Sequence, residues 1–186
     1  MPRLPLLNTA ESVPAEARET YETIIRNRGA VTTPVALLMH APGTALHSAN
    51  LGAYFRFESG LALDLFELTI IVAAREFDCE FIWTAHAPLA VKEGVPQAVV
   101  DAIATRGGTE AFPERYRIVT DFLRAIVRDH NVPQPVFDAM RNEFGARVLT
   151  DITALAGFYL MLACALIAND MELPAGRPGF PERNRG

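Results

Sequence analysis

The 186-residue chain has little of what defines several large classes of protein. Its two cysteines, Cys79 and Cys164, are too few for the disulfide framework of a small secreted domain. The 17 Lys and Arg residues do not outnumber the 22 Asp and Glu residues, so the net charge of −5 disfavours a nucleic-acid-binding surface. The N-terminus holds no apolar run long enough for a signal peptide. These absences favour a cytoplasmic protein with reduced thiols and no nucleic-acid partner.

Strand signals are scarce as well, because the sequence has neither an Asn-Gly hairpin nor a sustained alternation of apolar and polar residues. Half of the residues are hydrophobic, which excludes intrinsic disorder. Helical periodicity recurs between prolines and glycines, and it predicts an all-α fold of eight or nine helices. We expect one domain over residues 1–172, with an N-terminal extension of about 1–60 and a core of about 61–172. The Pro-, Gly- and Arg-rich tail 173–186 is expected to be extended or disordered.

The mean hydropathy of +0.15 is high for a soluble monomer, and it indicates either a membrane segment or apolar surface buried between subunits. The most apolar run, Ile152–Ala168, is at the lower edge of the length that spans a bilayer. Asp151 and Asp170 flank it, and no nearby Lys or Arg could anchor it at a membrane interface. We therefore predict a core or interface helix and no membrane association.

A single acidic residue, Glu67, lies inside the helix predicted for LFELTIIVAAREF, which we expect Asp64 to cap. The apolar residues of this helix cover most of its circumference, so the helix should be buried on nearly all sides. A carboxylate in such a place needs a hydrogen-bond donor. The alternative is that Glu67 lies at an exposed helix start, close to the positive end of the helix dipole.

The next predicted helix carries Cys79, Ile82, Trp83 and His86 at positions i, i+3, i+4 and i+7, which form one stripe. His86 could exchange protons near neutral pH, or it could be a core histidine bonded to a backbone carbonyl. Trp83 could form the wall of a pocket or part of the core. Cys79 follows Asp78, the expected N-cap, and a helix N-terminus favours the thiolate. Otherwise Cys79 is a small buried hydrophobic residue.

These residues carry a resemblance to the carboxymuconolactone decarboxylase family, which includes the alkyl hydroperoxidase D-like proteins. The family pattern is a Glu, a Cys or small residue twelve positions later, and a His seven positions further, and Glu67, Cys79 and His86 hold those places. The peroxidase branch reads C-x-x-C-x-x-x-H, whereas Ile82 stands here in place of the second Cys. Cys79 alone cannot close a catalytic cycle that needs a second thiol to resolve the sulfenic acid within the motif.

The decarboxylase-like branch of the family shows an aromatic residue, then Trp and His, followed by A-x-x-x-G. This chain matches that version of the motif with Phe81, Trp83, His86, Ala90 and Gly94. The stretch FYLMLACALIAND resembles the closing helix of the family, and the similarity extends over most of Leu37 to Leu173. The resemblance implies an alkyl hydroperoxidase D-like helical bundle.

The resemblance also implies the chemistry, which is cofactor-independent decarboxylation of a small carboxylated lactone or a related acid. In that reaction His86 would deliver a proton, Glu67 would orient and bias His86, and Trp83 would contact the substrate. Arg56 or Arg75 could bind a substrate carboxylate, or Arg75 could instead pair with a nearby acid. A thiol antioxidant protein that uses Cys79, of the alkyl hydroperoxidase or peroxiredoxin kind, is the alternative enzyme. A non-catalytic oligomeric binding protein is the alternative outside catalysis.

The expected partners are a small-molecule substrate and further copies of the chain, since family members assemble as homo-oligomers, here a trimer or hexamer. A metal site is not favoured, because the sequence has no HExxH and no paired-Cys motif. The remaining histidines are interpreted as packing or helix-end residues, namely His40, His47 and His130.

Overall fold

The computed structural model describes residues 2–173, 176, 179 and 180. Within these residues the chain forms one short 3₁₀-helix, Ala15–Ala17, eight α-helices and no β-strand. The prediction of an all-α fold is therefore confirmed. In chain order the α-helices are α1 (Arg18–Arg28), α2 (Thr33–Leu38), α3 (Pro42–Phe57), α4 (Leu63–Glu76), α5 (Glu80–Lys92), α6 (Gln97–Ala104), α7 (Glu114–Val127) and α8 (Gln134–Ala168).

The chain divides into two compact units, and helix α8 belongs partly to each. The first unit comprises Met1–Gly60 with Met161–Glu172, and the second comprises Leu61–Leu160 with Leu173–Gly186. The expectation of a single domain over 1–172 stays a prediction.

In the first unit, α3 packs against α1 and α2. The buried residues of this small core are apolar: Leu7, Val13, Ala17, Ile24, Val35, Met39, Ala45 and Ala49. The N-terminal segment is hydrogen-bonded to the end of α8. The backbone N–H of Arg3 donates to the Asn169 carbonyl at 3.0 Å, and the Arg3 guanidinium donates to the Ala168 carbonyl at 3.0 Å.

In the second unit, α4 is the central helix, and it contacts α5, α6 and α7. Every residue from Leu65 to Arg75 is buried, as the apolar circumference of this helix predicted. The polar residues on α4 must therefore find partners inside the protein rather than in water. This requirement positions the candidate site.

The two predicted N-caps are wrong by one or two residues, since Ala62 caps α4 and Cys79 caps α5. Asp64 lies in the first turn of α4 instead, where its carboxylate accepts hydrogen bonds from the Leu65 amide at 2.8 Å and the Tyr116 hydroxyl at 3.0 Å. Asp78 adopts a left-handed conformation (φ 56°) between the two helices. Its carboxylate pairs with the guanidinium groups of Arg75 at 2.6 Å and Arg106 at 3.1 Å.

Helix α8 is interrupted at Gly145, whose φ of 77° and ψ of 168° are not helical. In the sequence, Gly145 stands between VFDAMRNEF and the apolar run Ile152–Ala168. By length and composition alone, α8 is the one helix in the described part of the chain that could cross a membrane, and 44% of its most apolar window is buried. Its interpretation as a core or interface helix stays a prediction.

Phe180, one of the described residues of the C-terminal tail, contacts α4 and α5, and the expectation of an extended or disordered tail stays a prediction. The backbone N–H of Phe180 donates to the Glu80 carboxylate at 2.9 Å. The Phe180 ring lies 5.4 Å from the Trp83 ring and 4.2 Å from the Arg75 guanidinium. An aromatic residue in a Pro- and Gly-rich tail can pack against a cation and an indole in this way. The remainder of the predicted tail, 174, 175, 177, 178 and 181–186, lies outside the described residues.

Candidate active site

The structure brings Glu67 and His86 into contact. Glu67 is fully buried in the first half of α4, and its Oε2 lies 2.7 Å from Nδ1 of His86 on the neighbouring helix α5. The His86 side chain is 15% exposed, whereas the Glu67 side chain is 0% exposed. The interpretation of Glu67 as an exposed helix-start residue is therefore wrong, and the donor that its burial requires is His86.

This contact fixes the hydrogen-bonding role of each imidazole nitrogen. A carboxylate accepts hydrogen bonds, so Nδ1 of His86 carries a proton that it donates to Glu67. In the neutral ring the opposite nitrogen, Nε2, then has a free lone pair, and in the charged ring it has a proton to give. Within the residues that the structure describes, no protein group bonds to Nε2. The pair can therefore accept or deliver a proton at Nε2.

An aromatic residue that the sequence reasoning missed supports the histidine. Tyr159 on α8 meets the His86 ring edge-on, with centroids 5.2 Å apart and an interplanar angle of 85°. Phe158 in turn packs edge-on against Tyr159. A tyrosine within the apolar run Ile152–Ala168 was the available signal, since a Tyr hydroxyl usually finds a hydrogen-bond partner when it is buried.

Cys79 and Trp83 lie on the same helix as His86 but in different surroundings. Cys79 is the N-cap residue of α5 and is 2% exposed. The helix rise places its Cα about 10 Å along the axis from that of His86. Trp83 is buried and faces Phe180. The catalytic role of Cys79 and the substrate-binding role of Trp83 both stay predictions.

The two arginines considered as substrate ligands have different places. Arg75 is buried, and its guanidinium donates to the Ala104 carbonyl at 2.7 Å and to the Asp78 carboxylate at 2.6 Å. Pairing with a nearby acid was the alternative that the sequence left open for Arg75. Arg56 lies near the end of α3, in the first unit.

Two of the other histidines have the structural contacts expected of them. A ring nitrogen of His40 lies 3.0 Å from the Pro5 carbonyl, and one of His130 lies 3.3 Å from the Ile126 carbonyl. In the described part of the chain, no group of three or more His, Cys, Asp and Glu side chains is arranged to hold a metal ion.

The fold, unlike the sequence, has clear relatives. No family profile and no curated protein matches the sequence. An alkyl hydroperoxidase AhpD-core protein from Ralstonia eutropha JMP134, described as peroxidase-related, superposes with a TM-score of 0.72 at 20% identity and covers 94% of this chain and 93% of its own. A protein of unknown function from Agrobacterium tumefaciens, suggested to be the antioxidant defence protein AhpD, gives 0.66 at 16% identity over 74% of this chain and 95% of its own.

A third similar structure is the debrominase Bmp8, in a variant with one cysteine replaced by alanine and in complex with 2,3,4-tribromopyrrole. It has a TM-score of 0.71 at 13% identity, with 94% of this chain and 95% of that chain covered. These likenesses show that this chain has the alkyl hydroperoxidase D-like helical fold, as the sequence predicted. They show the fold alone, so the activity of this chain stays a proposal.

Proposed function

We propose that this protein is a cofactor-independent enzyme that uses the pair of His86 and Glu67 for acid–base chemistry on a small carboxylated lactone, as in carboxymuconolactone decarboxylases. The observation that carries the proposal is the 2.7 Å contact between a fully buried carboxylate and a partly exposed imidazole. A non-catalytic protein that kept the fold has no need of such a contact, because a buried charged or polar pair is costly unless it is well matched.

The reaction needs only what these two side chains provide. The bond between the lactone ring and its carboxylate breaks, CO₂ leaves, and the bonding electrons enter the conjugated ring as a dienolate. Nε2–H of the protonated His86 then delivers its proton to a carbon of the substrate ring. The imidazole afterwards regains a proton from solvent. Glu67 stabilises the imidazolium through Nδ1–H and holds the ring in orientation, which makes it a positioning residue.

The experiment uses the purified chain with γ-carboxymuconolactone and a panel of related carboxylated butenolides, with CO₂ release as the readout. We expect His86→Ala to lower kcat by about 10²- to 10⁴-fold, the range typical of a lost general acid. Glu67→Gln should lower kcat more than it raises KM, because it affects the protonated ring rather than substrate binding.

His130→Ala is the matched control, since that histidine is exposed and belongs to the loop after α7. It should leave turnover unchanged. Full turnover by His86→Ala of every substrate that the wild type accepts contradicts the role of His86. Failure of the wild type on the whole panel contradicts the decarboxylase proposal itself.

Thiol chemistry at Cys79 is the second candidate function, and the fold that this chain shares with peroxidase-related proteins favours it. Burial of Cys79 and the presence of Ile82 in the place of a second Cys oppose it. A Cys164→Ser background removes the exposed thiol, so that only Cys79 is titrated. Unchanged thiol reactivity after treatment with low peroxide excludes this candidate, whereas stoichiometric loss supports it.

A further inference from the structure

A cavity of about 390 Å³ lies in the second unit, between the loop after α6, helix α7 and the start of α8. Its volume is within the range of small-molecule sites in proteins. The charged side chains that line it are Arg106, Glu110, Asp121, Arg124, Arg128 and Asp129, and their formal charges cancel.

One side chain at this cavity is buried with an unused hydrogen-bond donor. The Arg124 side chain is only 7% exposed. Its Nε donates to Glu76 at 3.0 Å and its Nη1 donates to the Gly107 carbonyl at 2.8 Å. Its Nη2 has no acceptor within the described part of the chain. Such a buried nitrogen is unfavourable because it has lost its water without gaining a partner.

The other charges at the cavity, apart from Glu110, have partners within the protein. Arg128 donates to Asp129 at 2.9 Å, and Asp121 accepts from the Thr109 hydroxyl at 2.8 Å. Arg106 pairs with Glu76 at 3.3 Å and with Asp78 at 3.1 Å. This pairing leaves the Arg124 Nη2 as an unmatched donor.

Glu110 is the unmatched acid at the same cavity. Its carboxylate has no hydrogen-bond or ion-pair partner among the residues that the structure describes. The carboxylate folds back over Gly108, where a Cβ would collide with it. Gly107, the residue before Gly108, accepts the hydrogen bond from Arg124. The unmatched acid and the unmatched donor therefore belong to neighbouring parts of one cavity wall.

We propose that this cavity binds a small zwitterion of the α-amino acid type. The ligand carboxylate accepts a hydrogen bond from Arg124 Nη2, which requires the guanidinium to turn toward the cavity that it borders, and the ligand ammonium group pairs with Glu110. A wall whose formal charges cancel suits a ligand that carries both charges and no net charge.

This cavity is separate from the pair of Glu67 and His86. Glu76, the partner of Arg124, is nine residues after Glu67 on α4, which corresponds to about 13 Å along the helix axis. Binding at the cavity is therefore measured directly and does not depend on the proposed decarboxylase activity.

The test is calorimetric titration of the full chain with the standard L-amino acids, with acetate and methylamine as single-charge probes. At least one amino acid should bind at millimolar concentration, and both single-charge probes should bind more weakly. Amide shifts of Gly108 and Thr109 in NMR spectra should accompany binding and identify the site. Glu110→Gln should weaken binding about threefold to tenfold, while Glu143→Gln, an exposed acid outside the cavity, should not change it.

Three results overturn the proposal. One is that no amino acid binds. Another is that acetate binds as tightly as the best amino acid, because the cavity would then recognise an anion only. The third is that Glu110→Gln binds as the wild type does. Because Glu110 is exposed, the Glu110→Gln variant should fold. Binding by this variant therefore reports on the carboxylate and not on misfolding.

Discussion

At the scale of single residues, Tyr116 shows how burial controls the protonation of a side chain. Its hydroxyl donates to the Asp64 carboxylate at 3.0 Å and lies 3.3 Å from the Gly94 carbonyl. Burial raises the pKa of Tyr116 above its ordinary value of about 10, and the hydrogen bond to Asp64 raises it further. The folded protein therefore favours the neutral phenol.

This shift predicts a loss of stability in alkali. The unfolded chain releases the Tyr116 proton from about pH 10 upward, whereas the folded chain keeps it to higher pH. The stabilisation is thus complete below about pH 10 and is lost as the pH rises through the folded-state value. Urea denaturation should show Tyr116→Phe to be less stable than wild type near pH 8, and the difference should shrink above pH 10. A difference that stays constant up to pH 11 contradicts the prediction.

The pair of Glu67 and His86 shows which contacts of the site the sequence could predict. An acid inside an apolar helix predicts a buried carboxylate with a donor, and the family-like spacing identified His86 as that donor. Tyr159 could not be predicted to meet His86, because the two are 73 positions apart and only tertiary packing joins them. Arg124 was missed because a basic residue on the amphipathic helix α7 is typical of an exposed helix face.

At the scale of helices, Gly145 is the residue on which the shape of α8 depends. Its φ of 77° and ψ of 168° belong to a region that only glycine readily adopts, and a Cβ there would have no atom within 4 Å. Substitution therefore costs backbone strain alone and creates no collision. We expect Gly145→Ala to lower the free energy of unfolding by about 1–3 kcal/mol, measured by urea denaturation.

Gly157 in the same helix provides the matched control. It is exposed, and a Cβ there would also contact nothing within 4 Å. Since its backbone is helical, Gly157→Ala should stabilise the protein by up to about 1 kcal/mol. If Gly145→Ala and Gly157→Ala change the free energy of unfolding equally, the non-helical backbone at Gly145 is not the cause of the change.

The sequence predicts which segments are helical better than it predicts where each helix begins, and α4 and α5 show why. An Asp before an apolar run favours an N-cap, but the Asp64 carboxylate lies 3.0 Å from the Tyr116 hydroxyl, and Asp78 pairs with Arg75 and Arg106. Tyr116 on α7 and Arg106 after α6 are distant in sequence from the residues they contact, so local sequence cannot reveal them, whereas Arg75 lies three residues before Asp78. Tertiary hydrogen bonds therefore decided the caps, while apolar periodicity decided the helices.

At the scale of the whole molecule, several helices expose apolar side chains that no contact within the described part of one chain covers. Phe57 on α3 is 72% exposed, and Leu51, Met161 and Ile167 are exposed as well. Less than half of the most apolar window of α8 is buried. Large apolar surfaces on a soluble protein mark sites of association. A further copy of the chain is the partner that we propose.

Association of identical chains makes a prediction that light scattering can check. At micromolar concentration and without detergent, we expect a mass three or six times that of one chain. Phe57→Glu should lower this mass, because a charge in an apolar interface must be desolvated without a partner. Glu58→Gln, which alters the neighbouring exposed residue, should leave the mass unchanged. A monomeric wild type contradicts the prediction, and a chain that stays in solution only with detergent would instead indicate that α8 enters a membrane.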